Sequence, residues 1–307
     1  MNIQELDEKK KAELFIGDAV KSLRTQKGIP SKDLADALDL KAYQVSKIEK
    51  GTQLLSSEQL VKTLIYLEVS LDEFCLYLNA TGEIVDRLEM KKALASFKHK
   101  RSQRQLKLLI KKSQNYYEKH KIAYFNHVYC MLKAFSVLEK THYDYDTART
   151  ELTPIIDYLS AAGTWFEYEM TLFSNCFFMY PVNQSLKVAN ELMAKIQKNH
   201  TSKQYNELLQ NLLINSAIYA LEDKNHCKSA IELATQSLLT QMTMSLQNSI
   251  SVKVIHQIAY YKLETDDYNE QQLIDLIKGL RLLGYQDYAQ HHLALLTRHG
   301  IILKERL

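Results

Sequence analysis

The sequence predicts an all-α protein made of two parts, and three observations support this prediction. The 307 residues include only 8 Gly and 3 Pro, whereas residues that favour helices are abundant. Apolar residues recur three and four positions apart in one segment after another. The clearest break in this pattern is the sequence NATGE at residues 79–83. We therefore expect a helical head over residues 1–80 and a longer helical array after it.

Within the head, residues 28–51 predict two short helices joined by a tight connection. The first helix covers about residues 31–38, and the second covers about residues 41–50 and ends at Gly51. Ser31 is expected to cap the first helix. In the second helix, Val45 and Ile48 are spaced to face the core, which leaves the opposite side polar.

That polar side offers groups suited to the major groove of DNA. Ala42 presents a methyl surface for thymine, and Gln44 and Lys47 present hydrogen-bonding groups for base edges or phosphates. A helical hairpin with a solvated polar face would have the same pattern, so the pattern alone leaves that alternative open. The outward residues are Ala42, Tyr43, Ser46 and Lys47, and the lysines expected near phosphates are Lys32, Lys41 and Lys50.

The segments LRTQKGIPSKDLADALDLKAYQVSKIEKG and LVKTLIYLEVSLDEF resemble the lambda-repressor-like, or Xre-type, DNA-binding domain. The resemblance implies that Arg24 pairs with Glu49 and so fastens the first helix of the head to the end of the recognition helix. The resemblance covers about seventy residues, within the head predicted over residues 1–80, and implies that this head binds DNA. It assigns the base-reading positions to Ala42, Tyr43 and Lys47, and the phosphate contacts to Ser31, Gln44 and Lys50.

A basic segment follows the head. Residues 81–121 contain 12 Lys+Arg and 4 Asp+Glu, although the whole chain has a net charge of only +3. This segment either lies along the DNA backbone or forms a solvated helix face. Because Leu106, Leu109 and Ile110 indicate that it also packs, the solvated face is favoured. We interpret residues 81–121 as a basic helical linker.

After residue 84 the pattern predicts one helix after another with short connections, so neighbouring helices should pack antiparallel. One of these helices is predicted to run without a break over residues 145–160. Stretches that begin near residues 166, 205 and 251 resemble diverged tetratricopeptide units. An array of such helical pairs curves and presents a long concave surface. The predicted fold is a lambda-repressor-like helix-turn-helix domain followed by a tetratricopeptide-like α-solenoid over residues 122–307.

An Xre-type head joined to such an array resembles the Rgg/GadR/MutR regulators, and SLDEFCLYLN is typical of Rgg proteins. The resemblance implies a transcription regulator of quorum-sensing type, a cytoplasmic homodimer that binds a short signalling peptide in the concave face of its repeats. Such a dimer would bind double-stranded DNA at an inverted-repeat operator. We expect the dimer interface in the array, since the exposed faces of the head are expected to be polar. An array that grips a partner protein instead of a peptide remains an alternative, and a phage-type repressor is a third.

The expected ligand surface is the concave face, which the first helix of each repeat should line. Asn211, Asn215 and Tyr219 recur every four residues, and asparagine side chains both donate and accept hydrogen bonds, as an extended peptide requires. The alternative is that these side chains face solvent or satisfy neighbouring turns, and a lone histidine is more often a packing residue. The candidate peptide-binding residues are Asn175, Asn211, Asn215, Tyr219, His256 and Tyr260.

Other classes of protein lack support. No apolar run approaches the length of a membrane span and the start of the chain has no signal-peptide core, so we expect a cytoplasmic protein with no membrane partner. The sequence contains no phosphate-binding loop and no nucleophile or metalloprotease motif, so an enzyme is not expected. Because the four cysteines are widely separated, we expect no metal or other cofactor and interpret them as packing residues: Cys75, Cys130, Cys176 and Cys227.

Overall fold

The computed structural model describes residues 16–78, 83–99, 102–199, 203–239 and 245–303, and the regular secondary structure in these ranges is entirely helical. Two compact units divide between Ala93 and Leu94, inside helix α6 (Glu83–His99). The division therefore falls after the predicted boundary at residue 80, and residues 79–82 of the predicted break lie outside the described ranges. The next helix packs in the second unit, so the segment predicted as a linker is not a unit of its own.

The first unit contains five helices before α6 in the described residues. Residues 16–26 form the described part of α1. Ser56 and Ser70 cap the last two of the five, since each hydroxyl accepts a hydrogen bond from the N–H three residues later. Leu34, Leu64 and Phe74 are among the side chains that form the core. The other four helices are α2 (Ser31–Ala37), α3 (Ala42–Glu49), α4 (Ser57–Tyr66) and α5 (Leu71–Tyr77).

One face of this unit is apolar, which corrects the expectation that the exposed faces of the head are polar. Val61 and Ile65 on α4 are 55% and 67% exposed, and Leu71 at the start of α5 is 60% exposed. These three side chains line an open groove between the two helices. The sequence pattern hides this face, because a helix with apolar residues on two sides resembles one that is buried deeply.

The second unit is built from antiparallel helical pairs. Helices α11, α13 and α15 lie next to one another, and α14 packs against α13 and α16 against α15, as two of the predicted repeats require. Helix α12, the second helix of the other predicted repeat, packs against α13. Phe125, Phe173 and Tyr219 are among its largest buried side chains. The helices are α7 (Gln103–His120), α8 (Ala123–Lys140), α9 (Tyr145–Thr150), α10 (Thr153–Ala161), α11 (Glu167–Asn175), α12 (Val182–Asn199), α13 (Lys203–Ala220), α14 (Cys227–Leu238), α15 (Leu246–Leu263), α16 (Glu270–Leu282) and α17 (Gln286–Arg298).

The prediction of one helix over residues 145–160 is wrong. The chain forms α9 and α10 instead, with the break at Glu151 and Leu152. Pro154 lies in the first turn of α10. Proline has no N–H to donate to the preceding turn and its ring collides with that turn, so a helix can begin at this position but cannot pass through it.

The cysteines of the described residues are all free thiols. Cys130, Cys176 and Cys227 are buried, and Cys75 is half-buried. Burial raises the pKa of each of these four thiols, so the thiolate form is disfavoured. They therefore act as packing residues, as expected. In the parts of the chain that the structure describes, no helix has both the length and the apolar character needed to cross a membrane.

Candidate DNA-binding and ligand-binding sites

Helix α3 is held very close to α1, and a glycine makes this possible. Val45 and Ile48 are 1% and 2% exposed, so they fix one side of α3 in the core as predicted. Gly17 on α1 lies directly against the carbonyl of Ile48, and a Cβ at residue 17 would stand only 2.0 Å from that oxygen. The approach of the two helices therefore depends on the missing side chain. Periodicity did not reveal this role, since Gly17 lies inside a helix where glycine usually only weakens the structure.

The predicted contact between Arg24 and Glu49 is present. Arg24 Nε donates to Glu49 Oε1 at 2.6 Å, and Arg24 Nη2 donates to Glu49 Oε2 at 3.1 Å. Arg24 Nη1 also donates to the carbonyl of Ile29 at 2.6 Å. Both charged side chains are buried. This bidentate salt bridge joins α1 to the last residue of α3 and so fixes the direction of α3.

The outward side of α3 is available for a partner. Tyr43 is 57% exposed, and Ala42 and Lys47 are exposed beside it. Lys47 Nζ lies 5.4 Å from the centre of the Tyr43 ring, so the cation and the aromatic face form one surface. Lys32, Lys41 and Lys50 are also exposed, and none of them forms an ion pair within the described residues. The face combines methyl, aromatic and cationic groups, as a helix that enters a DNA groove requires.

Two candidate DNA-binding residues are placed differently from the prediction. The side chain of Gln44 turns back, and its Oε1 accepts the N–H of Lys41 at 2.9 Å, which stabilises the first turn of α3. Only the NH₂ of Gln44 is left for DNA. Ser31 does not cap α2, because Pro30 occupies the capping position and no side chain there accepts a hydrogen bond. The half-buried Ser31 is the first residue of that helix.

In the second unit, Asn211 and Asn215 lie on the same side of α13. Asn211 is exposed and Asn215 is half-buried. Asn215 Nδ2 donates to the carbonyl of Ser174 on α11 at 2.9 Å. Asn248 Nδ2 on α15 donates to the side-chain Oε1 of Gln210 on α13 at 3.4 Å. Polar side chains therefore connect the three neighbouring first helices, and the exposed amide of Asn211 forms no hydrogen bond with the residues that the structure describes.

Tyr219 is not on this surface, and the prediction that it packs against a peptide is corrected. The side chain is 2% exposed, and its hydroxyl donates to the carbonyl of Tyr180 at 3.0 Å. Arg149 Nη2 donates to the same hydroxyl at 2.6 Å. A step of four residues turns about 40° beyond one full turn of an α-helix, so Tyr219 is rotated by about 80° from Asn211. That rotation carries the ring into the core.

The other candidate ligand residues are neither fully buried nor fully exposed. Asn175, the last residue of α11, is half-buried, as are His256 and Tyr260 on α15. His256 Nε2 lies 3.2 Å from the hydroxyl of Thr235 on α14, and burial lowers the pKa of this histidine. The ring of His256 also lies 6.0 Å from that of Tyr260. The lowered pKa disfavours the charged form of His256, which has one polar partner in Thr235, and Tyr260 lies beside it.

A polar cluster that the sequence did not predict joins α8, α10 and α11. His127 Nδ1 lies 2.8 Å from the hydroxyl of Tyr168, and Tyr158 donates to Glu169 Oε1 at 2.5 Å. Burial lowers the pKa of His127. Burial also disfavours the Glu169 carboxylate, but hydrogen bonds from Tyr158 and the Phe166 N–H outweigh it and lower the pKa of Glu169. The carboxylate in turn raises the pKa of Tyr158 to about 12.

Only one part of that cluster leaves a sequence signal. Glu169 lies three residues after Phe166 and accepts its N–H at 2.9 Å, which is the position of a helix-capping glutamate. The partners of the other side chains are more than ten residues away, so no local pattern marks them. Within the described residues, no three His, Cys, Asp or Glu side chains converge in an arrangement that would hold a metal ion.

Comparison with protein families gives two matches. Residues 106–293 match the C-terminal domain of the HTH-type transcriptional regulator Rgg. Residues 20–74 match a helix-turn-helix family, and this range contains α2 and α3. Together the two matches account for both units of the structure. A comparison with curated proteins gives no match.

Several solved structures share the fold along nearly the whole chain. The SHP pheromone receptor Rgg2 of Streptococcus dysgalactiae is 22% identical, with a TM-score of 0.61 over 90% of this chain and 98% of the receptor. A candidate transcriptional regulator from Listeria monocytogenes EGD-e is 16% identical, with a TM-score of 0.68 over 94% and 100%. Bacillus thuringiensis PlcR, in complex with the peptide PapR7 and DNA, is 18% identical, with a TM-score of 0.60 over 94% and 97%. At these identities the likeness establishes a common fold.

Proposed function

The chain belongs to the Rgg family of helix-turn-helix transcriptional regulators, and we propose that it binds an inverted-repeat operator under the control of a short signalling peptide. Helix α3 supplies the sequence-specific contacts with DNA. The neighbouring first helices of the repeats bind the peptide. Rgg2, a pheromone receptor, and PlcR, bound to both a peptide and DNA, support a function that combines DNA binding with peptide binding.

The proposal rests mainly on the way the head holds one side of α3 and exposes the other. Its outward side is exposed, while the buried Arg24–Glu49 pair and the contact at Gly17 hold its other side. A helix fixed in this way has its backbone oriented before DNA arrives, so little backbone entropy is lost on binding. Tyr43 and Lys47 are the side chains that reach outward from it.

The test is a titration of operator DNA and random DNA with folded Tyr43→Ala and Lys47→Ala variants. Each lost base contact should weaken operator binding by about 1–3 kcal/mol, or roughly 5- to 150-fold in Kd, with a smaller effect on random DNA. Lys21→Ala is the matched control, since Lys21 is an exposed lysine on α1. Variants that discriminate between the two DNAs as well as the wild-type protein does would show that another surface reads the sequence.

For the peptide, we propose that Asn211 and Asn215 bind its backbone, with Asn175 beside them on α11. The amide of Asn211 has no partner in the described part of the chain, and Asn215 keeps a carbonyl oxygen that can accept a hydrogen bond. Backbone capture by amides tolerates different peptide side chains, so adjoining apolar surface would set specificity. Tyr260 and His256 are the aromatic groups on α15 that we assign to the edge of this surface.

This assignment is tested with the peptide that co-purifies with the protein, once mass spectrometry has identified it. Calorimetry should show affinity lowered by about 1–3 kcal/mol in Asn211→Ala, through the peptide group left unpaired. Asn183→Ala on α12 is the control, because it removes an exposed asparagine from a second helix. Wild-type affinity in Asn211→Ala would place the peptide elsewhere. Recovery of a protein instead of a peptide would favour the partner-protein alternative.

We further propose that the protein is a cytoplasmic homodimer whose repeat unit forms the dimer interface. One head covers only a half-site, and two heads related by a two-fold axis would bind half-sites about one helical turn apart. The apolar groove between α4 and α5 is a second surface that such a dimer could bury. Light scattering at micromolar concentration should give twice the chain mass of 35.6 kDa, and a monomer both free and on DNA would contradict the proposal.

A further inference from the structure

Helix α7 has two chemically distinct sides. Leu106, Leu109 and Ser113 are buried on the side that packs into the second unit. The opposite side carries three exposed cations, Arg104, Lys107 and Lys111. A helix repeats every 3.6 residues, so positions separated by three, four and seven residues lie along one line. The three cations therefore form a single stripe, which we call the α7 basic stripe.

None of these three side chains is engaged by the protein. Within the described residues, Arg104, Lys107 and Lys111 form no ion pair and no side-chain hydrogen bond. The one acidic residue of α7, Glu118, lies about two turns beyond Lys111 and accepts a hydrogen bond from Gln114. Leu108, within the stripe, is 61% exposed. In the described structure, the positive charge of the stripe is therefore not neutralised by any acidic side chain. One exposed apolar side chain, Leu108, lies among the three cations.

The distribution of charge along the chain indicates what the stripe meets. Residues 1–80, which contain the DNA-reading helix, have 11 Lys+Arg and 13 Asp+Glu. Cations that neutralise phosphates supply a large share of the affinity of a protein for DNA, whatever the base sequence. A head with slightly negative net charge is poorly equipped to supply this attraction by itself. The excess of cations lies just beyond it, in residues 81–121.

We propose that the α7 basic stripe binds the phosphate backbone of DNA that flanks the site read by α3. The inference rests on the proposed DNA-binding function and adds a second, sequence-independent contact to it. Arg104 and Lys111 are seven residues apart, which is about 10 Å along the helix. Phosphates follow one another along the backbone of each strand, so three cations spread over this length can each contact a phosphate. Leu108 would pack against the sugars between them.

The experiment compares the wild-type protein with an Arg104→Gln, Lys107→Gln, Lys111→Gln triple variant on duplexes with long flanks, across a range of salt concentrations. Each lost phosphate contact reduces the slope of log K against log salt by about 0.9, so the triple variant should lose about 2–3. Affinity for operator and random DNA should fall by the same factor. On a duplex trimmed to the operator itself, the two proteins should bind equally.

The control is a Lys140→Gln, Lys187→Gln, Lys228→Gln variant, which removes the same net charge from exposed positions on three other helices of the second unit. It should keep the wild-type slope. Equal slopes for the triple variant and this control would overturn the proposal and leave an acidic partner protein as the occupant to test. If the wild-type protein bound operator and random DNA equally well, the reading role of α3 would be contradicted instead. The proposal for the stripe would still be tested, because the slope of log K against log salt reports phosphate contacts on random DNA as well.

Discussion

Each unit of the protein contains a buried arginine–glutamate pair, and the two pairs differ in how completely they are satisfied. In the head, all three guanidinium nitrogens of Arg24 have partners, namely Glu49 and the carbonyl of Ile29. In the repeats, Arg298 pairs with Glu222, donates to the hydroxyl of Tyr145, and stacks 3.9 Å from the centre of the Tyr143 ring. No hydrogen-bond partner for its buried Nε lies among the residues that the structure describes.

The two pairs also act over different distances in the chain. Arg24 and Glu49 are 25 residues apart and orient one exposed helix. Arg298 and Tyr145 are 153 residues apart, and their contact ties the end of α17 to the start of α9. The first pair therefore orients an exposed helix face, whereas the second joins two segments of the repeat unit that are far apart in sequence. Each role predicts a different consequence when the pair is broken.

Removal of Arg298 should have the largest effect. Arg298→Ala leaves Glu222 as a mostly buried charge without its partner, which typically costs about 3–5 kcal/mol. Chemical denaturation should show this loss in the transition of the repeat unit. The Arg298→Ala, Glu222→Gln double variant should recover part of it, because no unpaired carboxylate remains. Wild-type stability in Arg298→Ala would mean that the pair does not hold the array.

Acid should weaken the repeat unit next most strongly. Burial lowers the pKa of His292 to about 3, and burial together with the Lys262 and Arg298 cations lowers the pKa of His299 to about 3. The unfolded chain binds these protons near pH 6.5, whereas the folded chain does not. The stability that both histidines contribute is therefore complete above about pH 6.5 and falls as the pH drops from there towards about 3, by about 1.4 kcal/mol per unit for each histidine.

Denaturation between pH 7 and 5.5 measures this slope, and the total loss expected from the two histidines is about 2–3 kcal/mol. In His292→Gln, the slope of the unfolding free energy against pH should lose the contribution of one histidine, since glutamine does not titrate. The head serves as an internal control, because His292 and His299 both lie in the second unit. An unchanged slope in His292→Gln would show that this imidazole is protonated in the folded protein.

In the head, Gly17→Ala should cost about 1–3 kcal/mol, as overpacking usually does. The new Cβ would collide with the Ile48 carbonyl, so α3 must move away from α1. Operator affinity should fall along with stability, because the reading helix is displaced. Gly163→Ala is the matched control, since a Cβ there meets no other atom within 4 Å. Equal behaviour of the two variants would contradict the close contact at Gly17.

The smallest expected effect is the coupling between Arg24 and Glu49. A double-mutant cycle with Arg24→Ala and Glu49→Ala, followed by thermal melting, should give an interaction energy of about 0.5–3 kcal/mol. A satisfied pair whose partners are both replaced leaves no buried charge, so the double variant should be more stable than the sum of single losses predicts. Strictly additive losses would show that the two side chains do not meet in solution.

The difference between the two ion pairs, one formed within a short motif and the other between distant segments, also explains which features the sequence could predict. Val45, Ile48, Arg24 and Glu49 belong to a compact motif, so their places followed from periodicity and resemblance. Tyr219 was misplaced because a four-residue spacing drifts around the helix over two steps. Contacts such as Arg298 with Tyr145 join distant parts of the chain and leave no local pattern. These contacts depend on how the repeats pack, which spacing alone does not encode.

Selection of bound duplexes from a random pool by the wild-type protein tests the central claim most directly. The account predicts enrichment of an inverted repeat whose half-sites lie about one helical turn apart. The same selection with the Tyr43→Ala, Lys47→Ala double variant should lose the enriched bases while it still retains duplex DNA through phosphate contacts. No enriched sequence with the wild-type protein, or the same sequence with both proteins, would contradict the conclusion that α3 reads DNA.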